Sequence, residues 1–121
     1  MTDVADLVAL DHELNQAIQK GDILVAFEKY YADDIVMQEN ADPPCKGKAA
    51  NREREKAFVD SVTQVHKIEL LGSAAGKGLT YSEWMMDITY KNGVRAASYQ
   101  VSARRWKNGK VISERFYYNK H

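Results

Sequence analysis

Two Asn-Gly pairs, Asn92-Gly93 and Asn108-Gly109, separate three long stretches in which apolar and polar residues alternate. Asn-Gly is the strongest short hairpin signal, because both residues tolerate the positive φ that a tight two-residue turn demands. The second half of the chain is therefore expected to be an antiparallel meander, with strands over Leu79 to Lys91, Val94 to Trp106 and Lys110 to Tyr118. A fourth strand, Val65 to Leu71, precedes them across a glycine-rich connection, Gly72 to Gly78. Eight of the twelve aromatic residues lie beyond position 80, where β propensity favours them.

The first half has a different period. Leu7, Leu10, Leu14, Ala17 and Ile18 recur at spacings of three and four, which predicts an amphipathic helix over residues 3–19. Gly21 suits its C-terminal cap and Asp22 can cap a second, short helix whose buried face is Ile23, Leu24, Phe27, Tyr30 and Tyr31. Asp33-Asp34 reads as a turn, Ile35 to Asn40 as a strand, and Asp42-Pro43-Pro44 as its end, with a cis X-Pro bond tolerated there. Residues 48–61 form a third helix. Grouped helices followed by a meander imply an α+β fold: a cone-shaped, curved antiparallel sheet with three N-terminal helices, enclosing one pocket. The expectation is one domain over residues 1–121, a length that suffices for a core without covalent staples.

Charge and cysteine content narrow the function classes. Lys+Arg and Asp+Glu balance at 17 each, which argues against nucleic acid as the main partner. Residues 1–60 hold 13 acids and 7 bases, whereas residues 61–121 hold 4 acids and 10 bases. Acidic solvent faces on the helices and basic strand edges account for that asymmetry, the alternative being a basic sheet that attracts an anionic ligand or partner. Cys45 is the single cysteine, which fits a reducing, cytoplasmic setting. The N-terminus does not read as a signal peptide, and no apolar run approaches the ~20 residues of a membrane span. No His/Cys spacing suits a metal, and no cofactor is implied. Cys45 has no neighbouring histidine in sequence and is a poor candidate nucleophile.

Three segments resemble the SnoaL-like branch of the nuclear-transport-factor-2-like superfamily. They are Gly21-Asp22 with Tyr30-Tyr31-Ala32-Asp33-Asp34-Ile35-Val36, then Pro43-Pro44-Cys45-Lys46-Gly47, then Arg105 to Ile112 with Arg115-Phe116-Tyr117-Tyr118. The resemblance covers nearly the whole chain. It implies the fold and leaves activity open among polyketide cyclases, ketosteroid isomerases, dehydratases, epoxide hydrolases and non-catalytic binding modules. Against the isomerase pattern, Glu39 stands where the general base is expected. Ser102 and Leu14 stand where the two oxyanion donors would be. The base survives and the oxyanion hole does not, so steroid isomerase chemistry is not expected.

Strand phase supplies the candidate site. By the resemblance, Ile112, Glu114, Phe116 and Tyr118 face inward on the last strand, with Ser98, Gln100, Ser102, Arg104 and Trp106 inward on the one before. Arg104 and Glu114 could then pair across the strands. On the preceding strand, the apolar set Trp84, Met86, Ile88 and Tyr90 would turn Asp87 outward. Its spacing from Asn92-Gly93, compared with the family, turns it inward, where burial would raise its pKa; the inward orientation is adopted. His66 shares a face with Ile68 and Leu70 and, if inward, suits proton shuttling near neutrality. His12 is expected in solvent and His121 is terminal.

The catalytic candidates are therefore Glu39, His66 and Asp87. The ligand-contacting candidates are Tyr31, Arg104, Trp106, Glu114 and Tyr118. The expected role is a pocket for a small organic ligand, apolar or polar, acting as a lyase, isomerase or cyclase by general acid–base catalysis. The rival is a non-catalytic binding or dimerisation module, and a weaker third is epoxide or ester hydrolysis. An outward set of Ala97, Tyr99, Val101, Ala103 and Arg105, with Val111, Ser113, Arg115 and Tyr117, is too apolar for a solvated sheet face. A homodimer through that face is expected, as the resemblance also implies.

Overall fold

The computed structural model describes residues 3–119. The elements in chain order are α1 (Val4–Gln19), α2 (Ile23–Tyr30), β1 (Tyr31–Glu39), β2 (Cys45–Lys46), α3 (Lys48–Ser61), β3 (Val62–Gly76), β4 (Leu79–Tyr90), β5 (Arg95–Lys107) and β6 (Lys110–Tyr118). Among the described residues, no helix is long and apolar enough to cross a membrane. The six strands form one curved, unclosed sheet in the order β2-β1-β6-β5-β4-β3.

The α+β class and the meander agree with expectation, but the sheet is mixed rather than antiparallel. β1 runs parallel to β6. The connection through α3 carries the chain to the far edge of the sheet and reverses it, and the β3–β6 meander then returns to β1. His121 lies outside the described residues. No described peptide bond is cis, so Pro43 and Pro44 are both trans.

Helix ends follow local chemistry. The Asp3 carboxylate caps α1 by accepting from the Asp6 N–H at 2.8 Å. At the other end, Gly21 N–H donates to Ile18 and Asp22 N–H to Ala17. This double closure needs a left-handed residue, which Gly21 supplies at φ +86°. Asp22 stands at the N-cap of α2 but makes no side-chain capping bond.

The two Asn-Gly turns differ. Asn108 and Gly109 both take positive φ, as expected. In the other turn only Gly93 does; the Asn92 side chain instead accepts from Val94 N–H at 3.0 Å. The expected glycine-rich connection is largely strand. Ser73, Ala74, Ala75 and Gly76 pair with Ser82, Tyr81, Thr80 and Leu79, and the long partner strand overrides the weak propensity of glycine.

Bulges reset side-chain phase at two places that matter. One lies between Val65 and Lys67, which makes His66 the unpaired extra residue. The other falls where Arg105 opposes Ser113 but Trp106 opposes Val111, so that Ile112 is extra. Val111 was expected on the outer face. The bulge turns it inward, where it is fully buried against Trp106, Ile35 and Leu14 in the core.

The core lies between α1, α2 and the inner face of the sheet and includes Leu7, Leu14, Phe27, Tyr30, Ile35 and Met37. Through its centre runs a buried polar network. Arg104, 1% exposed, donates from Nε to Glu114 at 2.7 Å and from Nη1 to Asp11 and Asn15, each at 2.7 Å. Asp11 also accepts from Thr80 at 2.8 Å and Ser82 at 3.0 Å, and Trp106 Nε1 donates to Thr80 at 2.9 Å. Asp11 and Asn15 share the buried helix face with Leu7 and Leu14, so α1 is held to β4 and β5 by polar contacts as well as apolar ones.

Removing one partner of a buried charge cluster leaves the other uncompensated. Asp11→Ala should therefore cost about 3–5 kcal/mol in urea unfolding. Asp87→Ala, which removes an exposed pair with Arg95, should leave the midpoint almost unchanged. Equal losses for the two variants would refute this account of the network.

Candidate functional site

A cavity of about 330 Å³ opens between the three helices and the inner face of the sheet. α1 contributes Leu14 and Ile18, α2 contributes Ile23, Ala26 and Phe27, and α3 contributes Arg54, Glu55 and Phe58. From the sheet come Tyr31 and Glu39 of β1; Trp84, Met86 and Tyr90 of β4; Ser98, Gln100, Ser102 and Arg104 of β5; and Glu114, Phe116 and Tyr118 of β6. Seven of these side chains are aromatic. The inward sets predicted on β5 and β6 agree with the wall of the cavity except at Trp106 and Ile112, whereas on β4 it is lined by Trp84, Met86 and Tyr90 rather than by the face that carries Asp87.

Of the residues singled out in the sequence, Tyr31, Glu39, Arg104, Glu114 and Tyr118 line this cavity, and three do not. The bulge puts His66 on the exposed outer face, where Nε2 meets Thr89 Oγ1 at 2.7 Å. Asp87 also faces outward, paired with Arg95 at 2.9 Å. That hydrogen-bonded guanidinium holds the Asp87 carboxyl below its usual value, the reverse of the raised pKa expected for an inward residue. Apolarity, with Trp84 and Ile88 buried on the opposite set, decides the phase of β4. Trp106 is buried in the core behind the cavity rather than on its wall.

At the floor, Glu114 is 1% exposed and accepts from the Tyr31 hydroxyl at 2.5 Å as well as from Arg104. Burial, and then the Glu114 charge, hold the Tyr31 phenol far above the ordinary range. Burial opposes the charge on Arg104, but Glu114, Tyr31 and Asp11 outweigh it, and the guanidinium is held still more firmly protonated than usual. Its contacts to Glu114, Asp11 and Asn15 use Nε and Nη1, and the Nη2 edge is not engaged by them.

At the rim, Glu39 Oε2 accepts from Arg54 at 2.9 Å and Oε1 from the Tyr118 hydroxyl at 2.9 Å. Burial, and then the bond to Glu39, push the Tyr118 phenol up to about 12. Between rim and floor stands Glu55. Burial, then repulsion from Glu114 and Glu39, push its carboxyl up to about 7 although Arg54 opposes the shift. Sequence reading missed Glu55 because α3 is charged on nearly every turn, and nothing in LysAlaAlaAsnArgGluArgGluLys marks which acid points inward. The signal available is one helical turn: Glu55 precedes the inward Phe58 by three positions.

The position of α3 depends on its first turn. Gly47, at φ +93°, turns the chain from β2 into the helix, and the buried Asn51 amide donates to Cys45 at 2.9 Å and Gly47 at 2.8 Å. Arg54, Glu55 and Phe58 then follow on the side facing the cavity.

Comparison with known proteins agrees with this architecture. The model of the SnoaL-like domain family matches residues 4–118. A protein of Mesorhizobium loti, provisionally described as a SnoaL-like polyketide cyclase, superposes with TM-score 0.83 at 28% identity, covering 93% of this chain and 98% of that one. AclR of Streptomyces galilaeus, provisionally described as a hydroxylase, gives TM-score 0.79 at 18% identity, with 97% and 91% covered. A provisionally described SnoaL-like polyketide cyclase of Jannaschia sp. CCS1 gives 0.78 at 6% identity, over 92% and 86%, a likeness of fold alone. No protein of curated function matches the sequence significantly. With the matched model spanning nearly the whole chain, and the helices and sheet arranged as described, this protein belongs to the SnoaL-like domain family.

Proposed function

We propose that this is a cytoplasmic protein whose cavity binds a small, mainly apolar organic molecule and moves a proton on it by general acid–base catalysis, with no cofactor. The observation that carries the reading is the position of Glu55. A carboxyl that titrates near neutrality stands on the wall of an aromatic-lined cavity, between Glu39 and Glu114. A proton-transfer group is most effective when its pKa lies near the working pH. Glu39 has both oxygens engaged, by Arg54 and Tyr118, and its role here is to fix the rim and orient the ligand. Lyase, isomerase and cyclase chemistry all need such a step, and the cyclase descriptions of two structural neighbours are in keeping with it. The locked Arg104–Glu114 pair favours the second reading, a pocket that binds without turnover.

Exchange of protons α to a carbonyl separates the two. With 2-tetralone in D2O, followed by NMR, the acid–base reading expects exchange faster than buffer alone. Glu55→Gln should slow it roughly 10²–10⁴-fold while ligand-induced shifts persist. Binding with no exchange above buffer would establish the second reading instead.

The raised carboxyl also has a stability signature. Its folded value of about 7 lies above the ordinary 4.5, so between these values the folded state holds a proton that the unfolded state has lost. Stability from this group is present below pH 4.5 and falls as pH rises through about 7. Glu55→Gln should thus be more stable than the parent at pH 8, by up to about 3 kcal/mol, and show no such advantage at pH 4. Guanidinium unfolding at the two pH values measures it, and a variant less stable at pH 8 would contradict the assignment.

We infer, too, that two copies pair through the outer sheet face. Tyr81, Tyr99 and Tyr117 are exposed there, Tyr99 at 66%, and tyrosine is enriched at interfaces. Sedimentation equilibrium at micromolar concentration should give a dimer mass that drops to monomer in Tyr99→Glu. A parent that is already monomeric would exclude the pairing.

A further inference from the structure

We propose that the ligand of this cavity is an organic amine, its ammonium seated between Glu55 and the rim and its apolar body enclosed by Phe27, Phe58, Trp84 and Phe116. The inference rests on the reading of the cavity as a small-molecule site and names the class of molecule it takes.

Two independent features lead there. The first is the wall. Aromatic side chains come from α2, α3, β1, β4 and β6, so a ligand of this size touches rings from several directions. Ring faces carry negative electrostatic potential and attract organic cations, more strongly where water is excluded. An anion gains nothing from such a wall.

The second is the distribution of charge. The lining holds three carboxylates, Glu39, Glu55 and Glu114, against two guanidiniums, Arg54 and Arg104. Asp11 adds a fourth acid directly behind Arg104. Arg104 is divided between Glu114 and Asp11, and Arg54 reaches Glu39 at 2.9 Å. Among the described residues Glu55 has no cation of its own, since Arg54 is engaged by Glu39. The groups facing Glu55 are Glu114 from β6, Glu39 and the Tyr31 phenol from β1 and Arg54 from its own helix, and the balance of the charges with burial drives it toward the protonated form. An ammonium at this point supplies the missing positive charge.

The consequence for protons is definite. At pH 6 the Glu55 carboxyl carries its proton; on seating of R–NH3+ it becomes a carboxylate, and that proton passes to the buffer. The ammonium keeps its own. Amine binding therefore tightens as pH rises toward 8, where the carboxylate is already formed.

Three matched probes test this on the intact chain: 1-naphthylmethylamine, 1-naphthylmethanol and 1-naphthoate, titrated by calorimetry and by their own fluorescence. The amine should bind about tenfold more tightly than the alcohol at pH 8, one ion pair and ring contact being of that order. The naphthoate should bind more weakly than either. At pH 6, heats in buffers of different ionisation enthalpy should report proton release with the amine and none with the alcohol. Glu55→Gln should lower amine affinity to that of the alcohol and abolish the proton release. Alcohol binding as tight as amine binding would overturn the amine assignment while leaving the pocket standing. Failure of all three probes to bind would overturn both.

Discussion

A guanidinium buried to 1% exposure in a small domain is the constraint to which the rest of the structure answers. Arg104 cannot shed its proton, so the fold must surround it with acceptors. Two elements supply them: α1 through Asp11 and Asn15, and β6 through Glu114. Ser82 and Tyr31 then satisfy the oxygens that Arg104 leaves over, and Thr80 shares Asp11 Oδ1 with it. Apolar burial would accept α1 at many rotations and heights on the sheet. The network accepts one, and it is this register that leaves room for a cavity beside the helix.

The cavity therefore has two kinds of polar group. Those of the floor are mutually satisfied and serve the architecture, although Arg104 and Glu114 still present surface to a ligand. Those of the rim are more accessible and only partly compensated. Glu39 is held by one cation and one phenol, while Glu55 has desolvation and two like charges against a single opposing arginine. A proton is gained or lost most cheaply in the less satisfied layer, because a group whose protonation is nearly balanced changes state at little cost.

The hairpins, the helices and the inward faces of β5 and most of β6 were legible in the sequence, because each follows from a local period or a two-residue turn; on β4 the alternation left the face open, and the side adopted for Asp87 was the wrong one. What was not legible depended on pairing between distant strands. The bulge at His66 comes from the mismatch between β3 and β4, and it moved a candidate proton shuttle to the outer face. The bulge at Ile112 likewise reversed Val111. The parallel β1–β6 contact follows from where the chain re-enters the sheet, which no window of neighbouring residues records. Asp11 and Asn15 were visible in principle, as polar residues in phase with Leu7 and Leu14, but read singly they resemble a solvated helix face. Glu55 was hidden among the charges of α3.

The parallel pairing also governs the order in which the molecule can be completed. Glu39 closes β1 and Tyr118 closes β6, and their side chains meet across 79 positions of sequence. Arg104 and Glu114, by contrast, are 10 positions apart and come together as soon as the last hairpin zips. Loop closure over the longer separation is the slower event. The Arg104–Glu114 pair at the floor is thus a product of local folding, while the Tyr31 and Asp11 contacts to it, across 83 and 93 positions, and the contact at the mouth all wait for the N-terminal half of the chain to dock.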